Sequence, residues 1–326
     1  MNRMKVAVIA GLDSSEAEIS MKSATQVFEA LNREMFEPYF ITLKESLFRT
    51  IDGVEIDKNF FGFIDQQGEV KKFDYALIVV HGAPGENGVL QGYFEMMGVP
   101  YSGCSVEVSA LTFNKSLCKK VVQFVANVNL AKEITIRRGE TVNVERIIEE
   151  LGLPLFVKPN ASGSSCGVTK VKESEQLVAA VEMALKESEV ALLEEFIEGT
   201  EVSQGVMIVG GDEWVLPATE LVSKNEFFDY QAKYTDGFTQ EITPARIPES
   251  VAKILNHTTL DIYKTLGCRG IVRIDYIIKK GKPYFIEVNT TPGMSRNSIV
   301  PQQWNQVGLT MEEAFTLLLR DEREMK

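Results

Sequence analysis

Histidine is almost missing from this chain, with two in 326 residues, and its four cysteines form no CxxC pair. Those absences exclude a His/Cys zinc site and a disulfide framework. Scattered thiols at Cys104, Cys118, Cys166 and Cys268 fit a reducing compartment. Basic residues are outnumbered, for a net charge of -12 and a pI near 4.9, so no basic stripe is available for nucleic acid. Any substrate phosphate must be met by a local cluster of cations. No apolar run approaches the roughly 18 residues of a membrane span, and the N-terminus leads into a strand instead of a signal peptide. The expectation is a soluble cytoplasmic protein with small-molecule partners, touching neither membrane nor nucleic acid. A G-x-G-x-x-G fingerprint is absent after the first strand, which sets aside a nicotinamide dinucleotide.

The chain is long enough for two or three lobes with separate cores. Residues 4–10, MKVAVIA, read as a buried strand ending at Gly11, with Asp13, Ser14 and Ser15 capping a helix over 16–31. Strands at 39–43 and 75–80 make residues 1–100 a small doubly wound parallel α/β lobe. Residues 101–193 form a second, α+β lobe, with helices over 106–112, 115–126 and 144–151 and a buried strand at 155–158. Residues 194–326 form the third, with strands at 202–209, 271–278 and 283–288, a lid loop over 225–237 and an amphipathic helix over 311–319.

The third lobe holds the most pointed pattern. The runs 271–278 and 283–288 flank Lys279-Lys280-Gly281-Lys282, the pattern of two strands joined by a tight turn. Residues two apart share a face of a strand, so Arg273 joins Asp275 and Glu287 joins Asn289. Two carboxylates and an amide oxygen are hard ligands suited to a Mg²⁺ that also binds substrate phosphates. A plain solvated sheet face is the alternative reading. The following turn, 289–294, offers backbone amides to an anion beside the metal.

Other segments agree with phosphate chemistry. Lys158 ends a buried strand, where a lysine needs an anion. The loop 159–167, PNASGSSCG, combines glycines that admit close backbone approach with Ser162, Ser164 and Ser165, although it lacks the Walker pattern. His81 opens a glycine-dense strand-end loop, HGAPGENG, and is either a ligand or a satisfied structural histidine, whereas His257 in a helix reads as structural. Glu16 either binds ligand or complements its helix dipole. Glu194 and Glu195 end a strand at the lobe connector and are either part of an adenine slot or simply solvated.

In this order GLDSSEAEIS (11–20), HGAPGENG (81–88), PYSGCSVEVSALTFNK (100–115), VKPNASGSSCGV (157–168), LLEEFIEGTE (192–201), FFDYQAKY (227–234), RIDY (273–276), EVNTTPGM (287–294) and RNSIVP (296–301) resemble the D-alanine-D-alanine ligases of the ATP-grasp superfamily. The likeness spans nearly the whole chain. It implies an ATP-grasp fold in which two α+β lobes sandwich ATP beside an N-terminal lobe. It also implies ATP-dependent joining of two D-alanines through an acyl phosphate, for peptidoglycan precursors in a bacterial cytoplasm. ATP as co-substrate, two Mg²⁺ or Mn²⁺ ions and a homodimer belong to the same expectation.

Carried over by residue, Glu16 with His81 holds the first D-alanine, and Glu16, Ser164 and Tyr234 form a cluster closing the lid. Glu194, Glu195, Phe196 and Ile197 flank adenine and Glu201 reaches the ribose. Lys115, Lys158 and Lys233, with Ser164 and Ser165, meet the phosphates. Asp275, Glu287 and Asn289 become metal ligands, Arg273 and the Gly293 amide an oxyanion site, and Ser298 with the Ile299 amide the second-carboxylate site. Leu12, Asn87 and Asn297 depart from residues common in the family. A relative that joins D-alanine to D-lactate is the nearest alternative, and Tyr234 favours the dipeptide.

Overall fold

The computed structural model describes residues 3–163, 166–223 and 239–324, and the lid stretch 225–237 lies outside them. The first sheet is built on β1 (Met4–Gly11), whose run Val6 to Ala10 is apolar and buried on both faces, as a strand covered by helices on both sides requires. α1 (Ala17–Ala30) follows, then β2 (Phe36–Lys44), parallel to β1. β3 (Leu47–Thr50) adds an antiparallel edge to β2, and β4 (Gly62–Ile64) pairs with β5 (Val70–Lys72) as a separate ribbon. β6 (Tyr75–Val79) completes the order β3-β2-β1-β6 and runs parallel to β1. Val6 and Val8 pack with Ala24 and Val27 of α1, while the alternate residues Ala7 and Ile9 pack with Leu90 and Phe94 of α2 (Val89–Met97).

Two helices precede the second sheet. Ser105 and Asn114 cap α3 (Val106–Phe113) and α4 (Lys115–Val122), their side chains accepting from Val108 N and Leu117 N. α4 stops short of the expected residue 126, and the chain turns through Asn127 at a φ of 64°. The second sheet collects β7 (Glu133–Arg137), β8 (Leu155–Pro159), β9 (Thr169–Val171) and β10 (Val190–Glu195), all antiparallel, in the order β7-β10-β8-β9. Leu155, Val157 and Leu193 bury one face against α5 (Val144–Leu151) and α6 (Leu177–Glu187). The opposite face is left for polar groups.

The third sheet contains β11 (Thr200–Val209), β12 (Asp212–Val215), β13 (Thr219–Ser223) and β14 (Thr239–Ile242), followed after α7 (Glu249–Leu266) by β15 (Val272–Lys279) and β16 (Lys282–Asn289). Its order is β14-β13-β11-β15-β16, with β12 on β11. Val202, Val206, Val272 and Ile274 face Leu255 and Ile262 of α7 together with Cys118 and Val122 of α4. Lys280 and Gly281 join β15 to β16 at φ 52° and 75°, the left-handed pair that a two-residue hairpin turn needs. α8 (Ile299–Gln306) lies on the polar face, where Gln303 donates to Ser203 O and accepts from Gly205 N, both at 2.9 Å. α9 (Met311–Glu324) outruns the expected 311–319 and buries Phe315 and Leu319 in the core of the first sheet.

Candidate active site

The hairpin places its polar residues as their spacing requires. Arg273 lies opposite Asn289 and Asp275 opposite Glu287, and a register shift follows directly at Asp275/Tyr276. Their shared face is not simply solvated, however. Asp275 is 6% exposed because β11 runs alongside and α8 covers the sheet there. Its Oδ1 accepts from Ser203 Oγ at 2.6 Å and from Arg273 Nε at 2.8 Å, and its Oδ2 accepts from Arg273 Nη2 at 2.8 Å. The expected oxyanion donor is thus paired with an expected metal ligand. Glu287 Oε2 sits 3.1 Å from Lys115 Nζ, which also donates to Ser162 O at 2.7 Å. Asn289 Oδ1 accepts from Thr291 N at 3.0 Å and so shapes the turn.

No group of three His, Cys, Asp or Glu side chains suited to a metal occurs among the described residues. The candidate set is therefore two carboxylates and the Asn289 amide oxygen, each carboxylate accompanied by a cation, Arg273 or Lys115. Such a set fits a hard divalent ion that takes its remaining oxygens from water and phosphate.

Between β8, β10 and α4 lies a buried group of charges. Glu194 forms ion pairs with both Lys119 and Lys158, and Lys119 approaches Glu133 at 3.5 Å. The solvated reading of Glu194 therefore fails: it is 7% exposed and serves as counter-ion to two lysines. Burial drives Lys158 well below its ordinary value, with Lys119 adding to the effect, and burial lowers Lys119 to about 8. Glu195 points the other way and accepts from Lys132 N at 2.8 Å. Phe196 lies under Lys170 Nζ, 4.2 Å from the ring centroid, and 6.0 Å from the Phe156 ring. Ile197 is buried. A cavity of about 420 Å³ opens beside this connector, lined by Leu153, Pro154, Phe196, Gly199 and Thr200. Glu201 is two residues before Ser203 on β11 and shares its face, toward Asp275.

At the other end Glu16 is 8% exposed and its side chain forms no hydrogen-bonded helix cap, so it does not act through the helix terminus alone. A Cβ on Gly82 would lie 2.9 Å from Glu16 Oε2, and one on Gly163 only 2.3 Å. Two glycines thus let the loops at 82 and 163 close on this carboxylate. Ser164, Ser165, Lys233 and Tyr234 lie outside the described residues. Glu86 accepts from Gly82 N at 2.9 Å, and burial followed by the nearby Glu16 pushes its carboxyl up to about 8. His81 is 3% exposed and lies 3.2 Å from Ser23 Oγ, which accepts from Met294 N at 3.1 Å. Burial and then Arg273 hold His81 down to about 4, so it is a neutral tie between β6, α1 and the 289–294 turn.

Ser298 stands at the N-terminus of α8 without capping it, its Oγ 2.8 Å from Ser295 Oγ. A Cβ on Gly293 would meet Ser298 Oγ at 3.0 Å, so the Gly293 turn, Ser298 and Ile299 come together beside the hairpin.

The profile for D-ala D-ala ligase N-terminus matches residues 5–104 and that for D-ala D-ala ligase C-terminus matches residues 120–320. The chain belongs to the D-alanine–D-alanine ligase family. A D-alanine–D-alanine ligase of Phocaeicola vulgatus is 44% identical over 97% of this chain and 98% of its own, and one of Parabacteroides distasonis is 44% identical over 98% of each. Among solved structures, the VanG D-Ala:D-Ser ligase from Enterococcus faecalis superposes with a TM-score of 0.87 at 32% identity, covering 98% of this chain and 100% of that one. The D-alanine–D-alanine ligase from Bacillus anthracis complexed with ATP gives a TM-score of 0.79 at 27% identity over 99% of this chain and 98% of that one. The fold is therefore the ATP-grasp fold of this family.

Sequence reasoning missed several charged residues that the structure sets beside these candidates. Lys119 shares the buried side of α4 with Ser116 and Val122, spaced at helical intervals, and that pattern was a usable signal. Glu86 lay inside a motif already singled out. Glu133 and Glu241 carried no local signal, since only pairing between distant strands reveals what faces them.

Proposed function

We infer that this enzyme uses ATP to join two D-alanines into D-alanyl-D-alanine for peptidoglycan precursors, through an acyl phosphate on the first. The observation that carries the reading is the paired register of Arg273 with Asn289 and Asp275 with Glu287, with Lys115 set against Glu287. Attack of a carboxylate on the γ-phosphate brings two anions together, so the site's task is positioning and charge compensation. A divalent ion, Mg²⁺ or Mn²⁺ and two per site, held by Asp275, Glu287 and Asn289 would neutralise phosphate charge. Lys115 and Lys158 lie beside the same space, and Lys233 with Ser164 and Ser165 would complete the cradle. Once nucleotide phosphates arrive, the lysines exchange carboxylate partners for phosphate oxygens. Phe196, Ile197, Glu194 and Glu195 would border adenine and Glu201 the ribose.

Glu16 holds the ammonium of the first D-alanine, with Gly163 leaving room beside its carboxylate; Ser164 and Tyr234 would complete the cluster that the family resemblance implies. Arg273, bonded to Asp275 in this structure, would meet the oxygen that gains charge when the second amine attacks, together with the Gly293 amide. Ser298 and the Ile299 amide fix the second carboxylate. Closure excludes water while the acyl phosphate waits. Among the described residues no helix is long and apolar enough to cross a membrane, in keeping with a cytoplasmic enzyme. Exposed Met96 on α2 and Leu117 on α4, with Phe124 just beyond it, give a second copy apolar surface to cover in a homodimer.

The test is phosphate release from ATP and Mg²⁺ with D-alanine, L-alanine or D-lactate. Release that requires D-alanine and yields the dipeptide supports the reading; release indifferent to D-alanine refutes it.

A further inference from the structure

β14 follows the lid stretch, and its pairing sets an acid where the sheet faces the second-substrate turn. Glu241 lies opposite Leu221 of β13, which lies opposite Glu201 of β11, so Glu241 shares the face of Glu201, Ser203 and Asp275. Its Oε2 accepts from Gln302 Nε2 on α8. The same nitrogen donates to Asn297 O at 2.7 Å, and Gln302 N donates to Ser298 O at 3.2 Å. One glutamine thus ties Glu241 to the turn bearing Ser298.

The charge balance at Glu241 differs from that of its neighbours. Asp275 is paired with Arg273 and Glu287 with Lys115. Among the described residues Glu241 is held by the neutral Gln302 amide and by no cation. Burial raises its carboxyl above the ordinary value, while Gln302 and Arg273 act in the opposite direction. A partly buried carboxylate that forms no ion pair among the described residues, beside the turn bearing Ser298, suits a ligand carrying a positive charge.

We propose that Glu241 is the specificity-determining residue of the second-substrate site, where its carboxylate meets the acceptor's ammonium and so favours a D-amino acid over a D-hydroxy acid. The proposal rests on the ligase reading above. Because Gln302 bonds both Glu241 and the Asn297–Ser298 turn, an acceptor held by its carboxylate at Ser298 and Ile299 would lie close to the Glu241 carboxylate. A D-hydroxy acid of the same shape brings no charge and leaves the carboxylate unmatched, which is discrimination by an unpaired group. D-Alanine and D-serine are equally served by this contact, so Glu241 separates amines from alcohols and not one amino acid from another.

The experiment is steady-state kinetics of the full chain with ATP, Mg²⁺ and D-alanine, with D-lactate as competitor, for the native protein and Glu241→Gln. The expected result for Glu241→Gln is a KM for the second D-alanine raised roughly 10- to 100-fold, the loss of one charge-assisted contact. The KM values for ATP and the first D-alanine hold, and the share of D-alanyl-D-lactate rises. Gln302→Leu keeps the carboxylate but unties it, so it raises the acceptor KM less and retains the preference for D-alanine. An unchanged acceptor KM and product ratio in Glu241→Gln overturns the proposal, as does an equal loss toward ATP and both alanines, which would mark a structural role. A native protein that forms no dipeptide overturns the ligase reading itself, a result distinguished by needing no variant.

Discussion

Asp275 and Glu287 look equivalent in the sequence, yet their surroundings give them different second roles. Asp275 is buried and anchors Arg273 through two hydrogen bonds of 2.8 Å, whereas Glu287, with a side chain 26% exposed, has Lys115 at 3.1 Å. Asp275→Ala strands the largely covered guanidinium of Arg273, whose side chain is 16% exposed, and is expected to cost about 3 kcal/mol of stability in addition to turnover. Glu287→Gln should lose about 10²-fold or more in kcat while stability changes by less than about 1 kcal/mol. Chemical denaturation paired with phosphate-release assays checks both, and full turnover in either variant would remove the metal-ligand assignment. Glu86 gives a pH-dependent case. Its carboxyl lies at about 8 against an ordinary 4.5, so the folded protein keeps a proton that the unfolded chain has lost. That contribution to stability is complete below about pH 4.5 and fades as pH rises through about 8. Glu86→Gln is always neutral, so its melting temperature without ligand should fall less than the native one between about pH 5 and 8. Parallel curves would contradict the assignment. The shared face of Asp275, Glu287 and Asn289 on the hairpin was legible because alternation needs only one strand at a time. The counter-ions were not, since Lys119, Lys158 and Glu194 meet only once α4, β8 and β10 have assembled.

At the scale of elements, the loop after β8 matters because it is small where it meets another lobe. Gly163 stands where a Cβ would lie 2.3 Å from Glu16 Oε2, so Gly163→Ala must push the loop or the carboxylate aside. The expected outcome is a raised KM for the first D-alanine with little change in melting temperature, measured by steady-state kinetics and thermal denaturation; an unchanged KM would mean that this loop does not close on Glu16. Gly85 is a different case: its Cβ would fall 2.1 Å from Val80 O, a backbone clash, so Gly85→Ala should lower stability outright. Most long elements were readable, β1 from its continuous apolar run and the β15–β16 hairpin from two runs about a Lys-Gly turn. The short strands β3, β4 and β5 were not, because three or four residues carry no period to detect. The exact end of α4 escaped for a related reason: Val125 beyond it stays in the core although the helix has ended, so the apolar pattern continues without the helix.

For the whole molecule, the reaction space we propose draws charged groups from segments far apart in sequence: Glu16 and Glu86 from loops that follow β1 and β6, Lys158 and Glu194 from the second sheet, and Arg273, Asp275, Glu287 and Asn289 from the third. α9 returns to the first core and α4 packs against the third, so the lobes are tied together by crossing connections. Such an arrangement suits two reactions in succession on one carboxylate, with the intermediate never leaving. The most direct measurement uses D-alanine labelled with ¹⁸O in its carboxylate, incubated with ATP, Mg²⁺ and the enzyme. If the first carboxylate attacks the γ-phosphate, the oxygen that bridges to phosphorus departs with it, and each phosphate released alongside a dipeptide carries one labelled oxygen. Dipeptide formed with unlabelled phosphate would contradict the account.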